Sequence, residues 1–249
     1  MILKRESRPR RTCGTDTLSA SIKIAVPAVK PGPLTSAAAI CGLYAVTPDI
    51  ADTPLLVAKV RAALRGGVRL LQYRNKQASK SLAITQAQAL RAVTREASAL
   101  LIINDDAELA LSIKADGVHL GLDDDASRDL AALRREAGRA SFIVGISCYN
   151  ELSRAIDAAA AGADYVALGS FFASATKPGA RRAGLGLLLQ ARQEISVPLV
   201  AIGGITLENA PGLIGAGADA LAVISALFDA PDIPSQAHAF NQLLRHQHV

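Results

Sequence analysis

The sequence predicts an α/β protein of the (β/α)8 TIM-barrel class, and three observations carry that prediction. Eight short apolar runs alternate with eight amphipathic runs over about 205 residues after Cys41, the pattern of repeated βα units. The apolar runs are rich in Val, Ile, Leu and Ala, as in parallel strands covered on both faces. A motif also recurs: "AGADYVALGS" (161–170) and "AGADALAVIS" (216–225) match closely, and "KADGVHLG" (114–121) is a looser copy. A doubly wound sheet is the competitor. A count of eight, with no long insertion and no GxGxxG after the first strand, favours the barrel.

The elements follow in order. "GLYAV" (42–46) is the first strand. The helix after it, "TPLLVAKVRAALRGG", takes Thr53 as N-cap, Pro54 at its first position and Gly66 past its end. "LLQYR" (70–74) leads to a helix over 80–97, and "LLIIN" (100–104) to one over 106–113. "DGVHL" (116–120), "FIVGIS" (142–147) and "YVALGS" (165–170) precede helices over 127–137, 150–161 and 184–194. "PLVAIG" (198–203) and "ALAVIS" (220–225) precede the last two, over 207–215 and 235–245.

Charge is unevenly placed. Residues 1–33 hold seven cations and two acids; the rest of the 249-residue chain holds 20 of each and is neutral. A basic surface for nucleic acid is therefore not expected on the folded part. The Pro/Ser/Arg-rich leader, residues 1–37, reads as disordered, with residues 38–249 forming a single barrel domain. No apolar run reaches the roughly 18 residues that span a bilayer, and the start lacks a signal-peptide apolar region. Cys13, Cys41 and Cys148 are far apart, without CxxC or Cys/His ligand spacing. A cytoplasmic protein with no disulfide framework and no zinc site is expected.

Barrel enzymes work at the C-terminal ends of their strands, and there the polar residues gather. The second strand ends in Gln72, Arg74 and Lys76, which share one face by strand periodicity; Asn75 falls on the other. Asn104, Asp105 and Asp106 follow the third strand; His119 and Asp123–Asp125 follow the fourth; Ser147 ends the fifth; Ser174, Thr176 and Lys177 follow the sixth. The N-terminal ends of the strands look bland. Gly203 and Gly204, before a helix start expected at Thr206, and the turn at Ile224–Ser225 would form a phosphate cradle after strands 7 and 8, though a Gly-Gly pair is also simply a tight turn. Asp105 and Asp124 would converge on a hard cation such as Mg²⁺. The plain alternative for 123–125 is a solvated helix N-terminus, accepted for Asp123 and Asp125. Arg74, Lys76 and Lys177 beside those carboxylates suit a diphosphate held through the metal, or else a structural Arg–Asp network. His119 reads as a hydrogen-bonded structural residue and Cys148 as a small buried one.

Taken in order, these pieces resemble thiamine-phosphate synthase. They are "YAVT" (44–47), "QYRNK" (72–76), "IND" (103–105), "ADGVHLG" (115–121) with Asp124, "GIS" (145–147), "GADYVALGSFFASATK" (162–177), "AIGGI" (201–205) and "VIS" (223–225). The resemblance covers about residues 42–228. It implies a barrel that joins 4-amino-2-methyl-5-hydroxymethylpyrimidine diphosphate to a thiazole phosphate, releasing thiamine monophosphate and diphosphate by Mg²⁺-assisted dissociation. It implies Mg²⁺ on Asp105 and Asp124. It places the pyrimidine diphosphate on Arg74, Lys76, Asn104, Ser147 and Lys177, and the pyrimidine on Gln72. Ser174, Thr176, Gly204, Ile224 and Ser225 match the thiazole-phosphate site. The residues assigned to catalysis are Arg74, Lys76, Ser147 and Lys177. Such a reaction needs charge neutralisation and positioning, not a nucleophile. Three positions depart from the family: Leu122 for Gln, Asp106 for Arg, and Ser174 for the first Thr of Thr-x-Thr-Lys. Two other functions fit the scaffold: a thiazole tautomerase using a proton shuttle such as His119, and a non-catalytic phosphate-ligand sensor. The partners implied are small molecules, with no nucleic acid and no membrane; a homo-oligomer is compatible with the sequence.

Overall fold

The structure, a computed structural model, describes residues 40–121, 130–173 and 181–245. The proposed leader, Asp124, Leu122, Ser174, Thr176 and Lys177 lie outside those residues. Eight parallel strands close into a barrel in chain order: β1 (Gly42–Val46), β2 (Leu70–Tyr73), β3 (Leu100–Asn104), β4 (Gly117–Leu120), β5 (Ile143–Tyr149), β6 (Tyr165–Gly169), β7 (Leu199–Ile202) and β8 (Ala220–Val223). Around it stand α1 (Thr53–Arg65), α2 (Lys80–Glu96), α3 (Ala107–Ser112), α4 (Leu130–Glu136), α5 (Leu152–Ala160), α6 (Leu185–Glu194), α7 (Ala210–Gly215), the short α8 (Ser225–Phe228) and α9 (Ile233–Arg245).

Strand alternation divides the apolar residues into two cores. One set faces inward and fills the barrel, with Tyr44, Leu70, Ile102, Ile143, Tyr165 and Val200 among its members. The other lies between barrel and helices, where Leu56, Leu90, Val118, Leu188 and Phe240 pack. Both faces of every strand are thus buried, which is why the strands read as near-continuous apolar runs.

Local capping differs from expectation in two places. The α1 N-cap is Asp52, not Thr53; its carboxylate accepts from the Leu55 N–H at 2.9 Å, and an acid also suits the positive end of the helix. Gly66 follows the end of α1 as expected, and the left-handed residue is the next one, Gly67 (φ +96). The helix after β7 starts at Ala210; Thr206 opens a turn in which its N–H donates to the Asn209 side chain at 2.9 Å.

The N-terminal ends of the strands are not bland. Asp116, Asp164 and Asp219 stand one residue ahead of β4, β6 and β8. Each donates its N–H to one residue on the preceding strand: Leu101 (2.8 Å), Val144 (2.8 Å) and Leu199 (2.9 Å). Each carboxylate then accepts that same residue's N–H, at 2.8, 2.7 and 2.7 Å. An arginine from the helix before the partner strand (β3, β5 or β7) closes each set: Arg91 of α2 (2.5 Å), Arg134 of α4 (2.6 Å) and Arg192 of α6 (2.9 Å). The recurring Asp of the sequence echo is this clamp. It ties strand to strand and helix to sheet with charge-assisted bonds. Arg69 occupies the corresponding place before β2 and bonds the Leu64 and Val68 carbonyls instead.

Candidate active site

At the C-terminal end of the barrel a cavity of about 490 Å³ opens. Its lining includes Gln72, Arg74, Asn104 and Ser147, all named from the sequence, with Gly203 and Ile224 on the opposite side. The inward faces of the strands supply Gln72, Asn104 and Ser147 by period 2, and Arg74 follows just past the end of β2.

β2 ends at Tyr73 rather than at residue 74, yet Arg74 keeps its inward place because its backbone is held from the side. The buried Thr47 hydroxyl accepts the Arg74 N–H and donates to the Arg74 carbonyl, both at 2.8 Å. Asp49 then orients the cation: Oδ1 accepts from Arg74 Nη1 at 3.1 Å and from the Lys76 N–H at 2.9 Å. Lys76 lies in a turn beyond the strand and is placed by that bond, not by strand parity. Its Nζ reaches Asp105 Oδ2 at 2.7 Å. Asn75 is structural, donating to the Ile50 carbonyl at 3.0 Å and to Gln86 at 3.1 Å.

Asp105 sits just past β3 with φ +63, a left-handed conformation that Asp adopts at low cost. Its N–H donates to the His119 carbonyl at 2.8 Å. Asp106 turns away and caps α3, accepting from the Leu109 N–H at 2.8 Å. The unusual Asp at 106 is thereby accounted for as an N-cap. Among the described residues no cluster of three or more His, Cys, Asp or Glu forms a metal site. Asp105 contributes one hard-oxygen donor at the mouth; its expected partner Asp124 lies outside the described residues.

The turn expected to cradle a phosphate is built by Gly203 (φ +104) and Gly204 (φ +63). A Cβ at Gly203 would strike the Ser170 side chain, and one at Gly204 the Ala173 carbonyl. Only glycine fits this close approach of two loops. The Asn209 side chain donates to the Gly204 carbonyl at 3.0 Å and fixes the turn. Ile224 and Ser225 lie at the start of α8, and Ile224 borders the cavity while Gly204, Ser225, Lys76 and Asp105 lie outside its immediate lining.

His119 is buried and hydrogen-bonded, as expected, and also lines the cavity. Other lining residues were not foreseen. Tyr149, Asn150 and Glu151 form part of the wall. They are presented by an irregularity in the β5–β6 register between Ser147 and Tyr149, where Tyr149 takes φ +52; a bulge leaves no mark in an apolar pattern. Arg181 adds a cation to the lining. Cys148 is fully buried, as expected.

Comparison with known proteins shows the family. The family model described as thiamine monophosphate synthase matches residues 43–227. The chain belongs to the thiamine monophosphate synthase family. The thiamine-phosphate synthase of Aromatoleum aromaticum is 54% identical over 202 residues, covering 81% of this chain and 95% of that one. That of Methylobacillus flagellatus is 54% identical over 204 residues, covering 82% and 95%. A solved thiamine phosphate pyrophosphorylase from Pyrococcus furiosus superposes with a TM-score of 0.71 at 34% identity, covering 83% and 96%. The family assignment makes the chain a transferase and bears out the resemblance seen in its motifs; neither the tautomerase nor the sensor finds support in these matches. Among the described residues no helix is long and apolar enough to cross a membrane.

Proposed function

We propose that this synthase joins the pyrimidine diphosphate to the thiazole phosphate across the barrel mouth, with Gln72 at the pyrimidine and the cations of β2 at the leaving diphosphate. The observation that supports the assignment of roles is that Arg74 lines the cavity and shares the Asp49 carboxylate with Lys76, whose Nζ pairs with Asp105, while Gly203 lines the same cavity. Two phosphate-bearing substrates need two anion sites; on this reading β2–β3 and β7–β8 would supply them.

Breaking the C–O bond leaves a pyrimidinylmethyl cation that its own ring stabilises, so the protein's task is electrostatic. Arg74, aimed by Asp49, and Lys76 would neutralise charge growing on the departing diphosphate, with Lys177 completing the set. Asn104 and Ser147 offer neutral donors to the same oxygens. Gly204, with Ser174, Thr176 and the Ile224–Ser225 turn, would hold the thiazole phosphate so that its ring nitrogen faces the reacting carbon. Asp105 and Asp124 would hold Mg²⁺, which when bound supplies a Lewis acid for the diphosphate oxygens. The one described ligand fits: it is a carboxylate at the rim, already paired with the Lys76 cation. The partners are small molecules and the compartment is the cytoplasm.

Titration of the protein with inorganic diphosphate tests this division. Binding should require Mg²⁺ and be lost in Asp105→Asn, and Asp124→Ala should cost far more activity than Asp123→Ala. Metal-independent binding unaffected by Asp105→Asn, or equal small effects of the two Asp→Ala changes, would remove the metal assignment.

A further inference from the structure

Beneath the cavity, five side chains from five strands form one continuous hydrogen-bonded chain. Gln72 Nε2 on β2 donates to the Tyr44 hydroxyl on β1 at 2.9 Å. Tyr44 and Tyr165 of β6 share a hydroxyl–hydroxyl bond of 2.8 Å. The Tyr165 hydroxyl lies 3.0 Å from His119 Nδ1 on β4, and His119 Nε2 lies 2.8 Å from Ser147 Oγ on β5. Both phenols are fully buried, and Gln72 and His119 nearly so. The ends of the chain, Gln72 and Ser147, both line the cavity.

The geometry around the chain is specific. Tyr165 stacks on the His119 ring (5.5 Å between centroids, 14° between planes) and meets Tyr44 edge-on (5.9 Å, 78°). Tyr165 reaches across because Gly145, between them on β5, has no side chain; a Cβ there would fall on the Tyr165 ring. Gly145 pairs in register with His119 on one side and Tyr165 on the other. So the single glycine in that row of β5 lets a buried phenol cross it.

We infer that Tyr44, Tyr165 and His119 are positioning residues that couple the pyrimidine contact Gln72 to the diphosphate contact Ser147 by fixing the direction of every hydrogen bond between them. Each phenol has one proton. Tyr44 accepts from Gln72 and, being buried, needs an acceptor for its own proton, which the Tyr165 hydroxyl beside it provides. Tyr165 then gives its proton to His119 Nδ1, which must accept. The imidazole proton is therefore on Nε2 and is donated to Ser147 Oγ. Ser147, already accepting, turns its own O–H into the cavity as a donor suited to an anionic oxygen. Turning the Gln72 amide over would reverse every link and leave Ser147 facing the cavity as an acceptor, which an anion rejects. Correct seating of a pyrimidine on Gln72 thus selects the state in which Ser147 can hold the diphosphate. Such chains polarise cooperatively in a dry interior.

This inference rests on the roles given above to Gln72 and Ser147, and a double-variant cycle tests it. Tyr165→Phe should lower kcat about tenfold, the loss expected from one hydrogen bond made in the transition state, with the KM for thiazole phosphate unchanged. In a Ser147→Ala background the same change should have no further effect on kcat, because the group it acts through is gone. If the two effects multiply, the chain does not run through Ser147 and the inference is overturned; full kcat in Tyr165→Phe overturns it too. Should Tyr165→Phe not fold, Tyr44→Phe carries the same cycle with the same outcomes. Full kcat in Ser147→Ala alone removes the site assignment together with the inference, whereas a large Ser147→Ala effect that multiplies with Tyr165→Phe removes the inference only.

Discussion

Lys76 Nζ and Asp105 Oδ2 lie 2.7 Å apart at the rim of the barrel, the cation half-exposed and the carboxylate about a third exposed. In water an ion pair of this kind contributes roughly 0–1 kcal/mol to stability. Under the proposed roles its value lies elsewhere: it would hold the cation meant for the diphosphate beside the carboxylate meant for the metal. Lys76→Ala should therefore leave the thermal midpoint almost unchanged and abolish most turnover, while thiazole phosphate still binds. Calorimetric titration of thiazole phosphate into the variant checks this; loss of thiazole binding alone would contradict the division of the site.

Asp49 orients Arg74 and holds the Lys76 backbone through a single oxygen. Removing it frees both cations to swing into solvent. Asp49→Ala should raise the KM for the pyrimidine diphosphate about tenfold, since two hydrogen bonds of modest worth are lost, and should leave the KM for thiazole phosphate alone. Steady-state kinetics with each substrate varied separately measures the difference.

The clamp at the other end of the barrel should behave in the opposite way. Asp164 accepts the Val144 N–H and pairs with Arg134, so Asp164→Ala leaves both donors without their carboxylate. About 2–3 kcal/mol of stability should be lost, with kcat of the folded fraction retained. Denaturant unfolding beside an activity assay below the transition separates the two quantities.

Much of this was readable in the chain and some was not, for physical reasons. The eight strands and the inward set Gln72, Arg74, Asn104 and Ser147 follow from period 2 and the barrel rule, because both are local regularities. The hold that Thr47 of "YAVT" and Asp49 keep on Arg74 is not legible locally: they lie about 25 residues from it, and only the parallel pairing of β1 with β2 brings them together. The Asp of the repeated "GAD" was visible as an echo, but its clamp needs Val144 and Arg134, or Leu199 and Arg192, from other elements. Asp52 and Thr53 are both good N-caps, and nothing in their order says which residue starts the helix. Parity puts Asn75 off the inward face, while its partners Ile50 and Gln86 come from the fold.

Alkaline pH offers a further check. Burial, and then the nearby Asp49 charge, push the Tyr73 phenol up to about 12; burial raises Tyr44 and Tyr165 as well. An unfolded tyrosine ionises near 10. The folded state therefore holds these protons more tightly, and their stabilising contribution is complete below pH about 10. It should be lost as pH rises from the unfolded value toward the folded ones. Phenolate absorbance of these residues should thus appear together with loss of circular dichroism, not before it. Early, independent titration of all the tyrosines in a folded protein would contradict the burial of the Tyr44–Tyr165 pair.

The most direct test of the central claim is to mix purified protein with the pyrimidine diphosphate and the thiazole phosphate and to follow diphosphate and thiamine monophosphate together. With Mg²⁺ the two products should form in equal amounts, and Asp105→Asn or a chelator should stop both. No thiamine monophosphate in the presence of metal and both substrates would contradict the account.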